Sequence, residues 1–128
     1  MSKGYILKGK VVDGSLAAPI ERGAVVSEGE RIVWVGEEKA LPAQYRPGEY
    51  ELIDLPGRTV MPGIIDAHIH ISFGEARSEE ELALYTPVEY RTLRAMWNAK
   101  KVLQAGVTSA FDAATVNNVA QSVRDAID

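Results

Sequence analysis

The chain has 128 residues, of which 46% are hydrophobic and 25% charged, and its formal net charge is −4. This composition is typical of a globular protein, and the acidic balance argues against a nucleic-acid binder or a polybasic membrane anchor. The absence of cysteine excludes disulfides, thiolate metal sites and a cysteine nucleophile. The first apolar stretch is too short for a signal peptide core, and about 18 consecutive apolar residues occur nowhere, so we expect a cytoplasmic protein.

Residues 1–61 contain short apolar segments separated by turn residues, a pattern that is typical of β-structure. The predicted strands are 5–12, 24–27, 32–35, 51–55 and 59–61. Glu28-Gly29-Glu30 separates the second from the third and favours a hairpin, while Pro56-Gly57 separates the last two. We therefore expect a small β-sandwich or barrel in this region, with Trp34 in its core.

The pattern changes at Pro62-Gly63, where a strand of unusual composition begins. Its odd positions from 65 to 71 are apolar, whereas Asp66, His68 and His70 occupy even positions. Because side chains alternate across a strand, these three polar residues share one face.

A helix is predicted over residues 88–105, with Thr86 as its N-cap and Glu89 completing a capping box. Five large apolar side chains lie on roughly one side of it and are expected to face the core: Tyr90, Leu93, Met96, Trp97 and Leu103. Gly106 ends the helix, a strand follows over 107–113, and Asn117 or Asn118 caps a second helix.

The order of strand, helix, strand and helix predicts the start of a parallel α/β fold. A complete (β/α)8 barrel, also called a TIM barrel, takes about 250 residues, so residues 62–128 hold only its first two βα units. The expected fold class is α/β: a small N-terminal β-sandwich domain over residues 1–61, then an incomplete TIM barrel over 62–128.

The two histidines of the chain lie two positions apart on one strand, which lets both imidazoles bind one divalent cation. A catalytic zinc site generally takes three protein ligands, and the two histidines would supply two of them. Two histidines at this spacing also arise by chance, without any metal-binding role. Asp66 lies about 6–7 Å further down the strand and is expected to orient or support the site.

The segment VMPGIIDAHIHI (60–71) resembles the signature that opens the barrel in the amidohydrolase superfamily. The segment WNAKKVLQAGVTSAFDAAT (97–115) is similar to that superfamily's second unit, in the branch of imidazolonepropionase-like and Xaa-Pro-dipeptidase-like (prolidase-like) enzymes. The resemblance implies that His68 and His70 bind a catalytic metal, zinc by default, in a one- or two-ion site. It also implies that the remaining ligands and the general base lie outside this chain, which alone should be inactive.

These features predict the N-terminal fragment of a metal-dependent hydrolase that cleaves a C–N bond in a dipeptide or N-acyl amino acid. A cyclic amide or imide hydrolase, of the hydantoinase or imidazolonase kind, is the first alternative. The second is a non-catalytic binding module in which the histidines are structural. The expected partners are a small-molecule amide and the missing C-terminal part of the barrel, and a homo-oligomer stays open.

Two further residues lie close to the predicted site in the sequence. Asp112 ends the second strand of the predicted barrel and is assigned either to the surroundings of the metal or, with more weight, to ordering a loop. Ser72 follows the histidines on their face and is interpreted as a plain loop serine in preference to a substrate contact.

Overall fold

The computed structural model describes residues 3–74 and 76–127, which divide into two compact units. The first unit ends at Pro62, and the second begins at Gly63. Each unit has its own sheet and its own buried cluster.

The first unit is a four-stranded sheet with the strand order β3-β2-β1-β4. Its strands are β1 (Tyr5–Val11), β2 (Ile20–Glu28), β3 (Arg31–Glu37) and β4 (Glu51–Val60). The pairs β1/β2 and β2/β3 are antiparallel, whereas β1 and β4 run parallel. The predicted hairpin is confirmed, with Glu28 paired to Arg31 and Gly29 at φ +56 between them.

The break predicted at Pro56-Gly57 is wrong, because β4 runs through both residues without interruption. The pairing with β1 shifts register between Lys8 and Lys10, and Gly57 has φ +72. Proline is tolerated here because β4 is an edge strand, where its missing N–H breaks no ladder, and a bulge absorbs the extra residues.

One face of this sheet contributes to a buried cluster of Ile6, Val26 and Tyr50. Three partly buried side chains pack against this cluster: Trp34, Leu41 and Tyr45. The expectation that Trp34 belongs to the core is therefore confirmed. The predicted sandwich needs a second sheet, and residues 3–62 form only one. The opposite face carries the cross-strand row Val35, Val25, Leu7 and Ile53, of which Val35 is 37% exposed.

Tyr50 links this cluster to the hairpin, since its hydroxyl donates a hydrogen bond to the Glu28 carboxylate. That bond, burial and the negative charge of Glu28 raise the pKa of Tyr50 from 10.0 to about 12. A neutral phenol is therefore favoured in the folded state at a pH where the unfolded chain already loses the proton.

We expect the stability of the protein to fall as the pH rises from about 10 to about 12, because the unfolded state releases this proton first. Tyr50→Phe should remove that contribution to the pH dependence. Urea unfolding midpoints at several pH values in this range test it. Equal slopes for the wild type and the variant would contradict the assignment.

The second unit consists of β5 (Ile64–Ile69), α1 (Val88–Gln104), β6 (Val107–Asp112) and α2 (Val119–Ile127). The strands β5 and β6 are parallel, and α1 forms the crossover between them. This confirms the predicted order of strand, helix, strand and helix. A short π-helical turn, Glu81–Tyr85, precedes α1.

The N-terminus of α1 differs from the prediction. Pro87 is the N-cap residue, and no side chain caps the helix. The Thr86 hydroxyl instead donates a hydrogen bond of 2.8 Å to the Glu81 carbonyl of the π-helical turn. The predicted end is confirmed, because the N–H of Gly106 (φ +95) donates to the Leu103 carbonyl, as expected for a C-terminal glycine.

The face that α1 buries is also not the predicted one. Its buried residues are Arg91, Arg94, Ala95 and Asn98, which recur at helical spacing. The five apolar residues expected in the core are exposed by 36–70%, including Trp97 at 59%. Ala95 packs with Val119 and Val123 of α2, whereas the face identified by the amphipathic pattern stays more exposed in the described part of this unit.

No helix among residues 3–74 and 76–127 has the length and apolar character needed to cross a membrane.

Candidate metal centre

The two histidines stand side by side at the carboxyl end of β5. His68 is in the strand and His70 directly follows its last residue, so both project from the same side. Their Nε2 atoms are 3.2 Å apart, and the two rings are nearly perpendicular, with an angle of 88° between their planes. His68 is exposed and His70 is half-buried, so the pair opens toward the end of the strand.

The separation of the two nitrogens suits a shared cation. Two imidazole nitrogens that bind zinc at about 2.0–2.1 Å with a near-tetrahedral angle lie roughly 3.3 Å apart. The observed 3.2 Å agrees with that spacing. The same distance also suits a hydrogen bond between one protonated and one bare nitrogen, and metal content distinguishes the two interpretations.

The second ring nitrogen of His70 faces the neighbouring strand. His70 Nδ1 is buried and makes no hydrogen bond within the described part of the chain. It lies 3.8 Å from Oδ1 of Asp112, slightly beyond hydrogen-bond distance. On its other side the His70 ring stacks on Phe73, with centroids 4.9 Å apart and an angle of 20° between the planes. The imidazole thus lies between a carboxylate and an aromatic ring.

Asp112 ends β6 at the edge of the sheet where β5 places the histidines, because parallel strands end on the same side. Its Oδ2 accepts a hydrogen bond from the Ile71 N–H and its Oδ1 accepts one from the Ala114 N–H, both of 3.2 Å. The carboxylate therefore orders its own loop, as the sequence suggested, and also reaches the residue that follows His70. Both of its oxygens are engaged, which suits holding the site more than moving a proton.

Asp66 supports the strand backbone. Its Oδ1 accepts a hydrogen bond of 3.1 Å from the backbone N–H of His68, and among the described residues it forms no hydrogen bond or ion pair with either imidazole. Ser72, expected in a plain loop, has 0% exposure, and its Oγ is buried without a hydrogen-bond partner in the described chain.

Sequence reasoning missed two residues of this region, Phe73 and Asn98. Asn98 is a buried amide of α1 whose Nδ2 donates a hydrogen bond of 2.9 Å to the Ile71 carbonyl. Its spacing from Arg91, Arg94 and Ala95 was a detectable signal, but the larger apolar residues on the other side of the helix obscured it. Phe73 had no signal, since nothing in its spacing relates it to the His70 ring.

Across residues 3–74 and 76–127, no three histidine, aspartate, glutamate or cysteine side chains converge into a cation site. The described chain therefore contributes a pair of nitrogen donors with an ordered carboxylate nearby. A third ligand and a free general base are not found in this part of the molecule.

Comparison with known proteins shows that the model of the amidohydrolase family matches residues 59–128, more than half of the chain. The matched region includes β5, both histidines, α1, β6 and Asp112. The site described above therefore lies within the family match.

Curated relatives match over different lengths. The imidazolonepropionase of Paracoccus denitrificans is 52% identical over 61 residues, which is 48% of this chain and 15% of that protein. The imidazolonepropionase of Streptomyces griseus is 31% identical over 115 residues, which is 90% of this chain and 27% of that protein. The chain thus spans less than a third of the length of these relatives.

A solved structure of a Xaa-Pro dipeptidase with bound methionine superimposes on the chain with a TM-score of 0.80 at 25% identity. The match covers 97% of this chain and 30% of that structure. The similarity extends over both units.

Proposed function

The chain belongs to the amidohydrolase family, and from that premise we propose that it provides part of the active site of a metal-dependent hydrolase that cleaves a C–N bond. The observation that carries the proposal is the 3.2 Å separation of the His68 and His70 Nε2 atoms at the carboxyl end of β5. Catalytic groups of α/β barrels lie at that end of the strands.

His68 and His70 would hold one divalent cation, and zinc is the first choice for two imidazole donors. The complete protein would have a one- or two-ion site. A bound cation supplies an acidified water molecule and positive charge beside an amide carbonyl. Residues outside the described chain would supply the remaining ligands and the general base.

Asp112 and Asp66 would support this centre without binding the cation. A metal-binding histidine usually donates its second ring N–H to a carboxylate or carbonyl, which fixes the tautomer and the ring orientation. Asp112 Oδ1, 3.8 Å from His70 Nδ1, is placed for that role after a small movement. Asp66 holds the His68 backbone through the N–H that it accepts.

The two units would be a β-domain over residues 1–61 and the first two βα units of a (β/α)8 barrel over residues 62–128. On the face of the first sheet that carries the apolar row, Val35 is 37% exposed, which supports completion into a sandwich. Exposed apolar side chains of the second unit, such as Ile65 at 74% and Phe111 at 66%, support further βα units on the same polypeptide or on a partner.

The comparisons support two candidate substrate classes. Similarity to a Xaa-Pro dipeptidase supports a dipeptide or N-acyl amino acid, whose linear amide bond would be hydrolysed. Similarity to imidazolonepropionases supports a cyclic amide, whose ring would be opened at a C–N bond. Both reactions add water across one C–N bond and need no other reactant.

The test is hydrolysis by the full-length protein loaded with zinc. A series of Xaa-Pro dipeptides is assayed by proline release, and an imidazolone by the loss of its ring absorbance. We expect turnover of the dipeptides or of the imidazolone, and we expect a chelator to abolish this turnover and zinc to restore it. The preferred substrate assigns the substrate class. A metal-loaded protein that turns over neither series would contradict C–N hydrolysis of these substrates.

A further inference from the structure

We propose that Asn98 of α1 is a positioning residue for the His68–His70 pair: it fixes the peptide that follows His70 and thereby the orientation of that imidazole. The inference rests on the proposed metal role of the two histidines and extends it to a residue on a different element.

The backbone of Ile71 is held from two sides. Its N–H donates to Asp112 Oδ2 of β6 at 3.2 Å, and its carbonyl accepts from Asn98 Nδ2 of α1 at 2.9 Å. Both polar groups of the residue after His70 are therefore bonded to side chains of neighbouring elements. A loop peptide at a strand end is otherwise free to rotate, so this arrangement restrains the chain where His70 emerges.

The turn continues with two further contacts. The Phe73 N–H donates to the His70 carbonyl at 3.1 Å, which closes a tight turn, and the Phe73 ring stacks on the His70 ring. Movement of the Ile71 peptide would therefore displace both the backbone of His70 and the ring that packs against its imidazole.

Asn98 lies so close to this turn that the sequence needs glycine at position 74. A Cβ added to Gly74 would be 2.5 Å from Asn98 Nδ2 and 3.0 Å from its Cγ. Asn98 is 7% exposed, so its amide is enclosed between the helix and the turn. A buried amide is costly unless it is bonded, and its bond to Ile71 offsets that cost.

A residue that only filled space could be apolar. The amide matters here because its donor matches the carbonyl next to His70, and Asn98→Asp keeps the size while it replaces that donor with an acceptor. The carboxylate would then repel the Ile71 carbonyl and release the turn. Partners that orient metal-binding residues typically contribute about 10- to 100-fold to metal affinity.

The experiment measures cobalt(II) and zinc affinity and the visible absorption bands of bound cobalt in the full-length protein. Asn98→Asp and the uncharged Asn98→Ala are compared with wild type and with Gln104→Glu, an amide-to-carboxylate change at an exposed position of the same helix. We expect affinity to fall about 10-fold or more and the cobalt bands to shift in both Asn98 variants, with no change in Gln104→Glu.

Wild-type affinity and cobalt bands in the Asn98 variants, even with a lowered urea midpoint, would overturn the proposal and leave Asn98 a purely structural role. Failure of both Asn98 variants to fold would also overturn it, because the amide would then serve the whole unit. Failure of the underlying metal proposal is distinguished by His68→Ala: if that variant binds metal as tightly as wild type, the metal does not lie at the histidine pair.

Discussion

Replacing either histidine with alanine is expected to abolish metal binding at the pair and to reduce C–N hydrolysis about 1,000-fold or more. Each imidazole is proposed as a direct metal donor, so its loss should weaken metal affinity by more than the roughly 100-fold upper range for indirect partners. Polarisation by a bound metal is worth several kcal/mol of transition-state stabilisation, and each tenfold in rate corresponds to about 1.4 kcal/mol. Elemental analysis and steady-state rates of His68→Ala and His70→Ala measure both quantities.

Gln121→Ala, at an exposed position of α2, is the control and should keep full metal content and rate. Two histidines that only hydrogen-bond to each other predict a different result: metal content would stay at the wild-type level in both alanine variants.

The two variants are expected to differ in stability. His70 lies between Phe73 and Asp112, whereas His68 is exposed, so only His70→Ala should lower the urea midpoint.

The strands and helices of the second unit could be predicted from the sequence because the residue patterns that mark them are local. Alternation of Asp66, His68 and His70 with apolar residues specifies a strand whose polar face carries both imidazoles, and the structure brings their Nε2 atoms to 3.2 Å. Gly106 marks the end of α1 because a positive φ there suits glycine.

The orientation of α1 could not be predicted, because burial depends on which surfaces surround the helix. The sequence offers two faces, an apolar one with Leu93 and Trp97 and a mixed one with Arg94 and Asn98. In the described unit the mixed face meets α2 and the turn after β5. The amphipathic pattern assumes that the most apolar side of a helix is covered, and it therefore identified a face that stays 36–70% exposed in this unit.

The contacts that organise the site were hidden for a related reason. Asn98 and Asp112 meet Ile71 across 27 and 41 residues of sequence, and no spacing rule connects positions so far apart. Asp112 could be placed at the correct edge because parallel strands end together, but its bond to Ile71 depends on the register of β5 against β6. That register shifts twice along the pair.

Asp112→Ala is expected to lower both the stability of the protein and its metal affinity. A residue that only ordered the loop would affect stability alone. The change removes hydrogen bonds from the Ile71 and Ala114 N–H groups to a carboxylate that is only 10% exposed. Hydrogen bonds to charged groups contribute about 1.5–3 kcal/mol each, and solvent partly replaces them, so we expect a loss of about 2–4 kcal/mol in the free energy of unfolding. Without the carboxylate beside His70 Nδ1, metal affinity should fall about 10- to 100-fold.

Asp112→Asn divides these effects, because its amide oxygen can accept only one of the two N–H groups and its NH₂ group faces the other. Its unfolding free energy should lie between those of wild type and Asp112→Ala, while its metal affinity should approach that of the alanine variant, since the negative charge beside His70 is lost in both. Asp125→Ala, which removes an exposed carboxylate of α2 bonded to the adjacent Arg124, is the control and should change neither quantity appreciably. A drop in stability with wild-type metal affinity in both Asp112 variants would confine Asp112 to ordering the loop and exclude it from the support of His70.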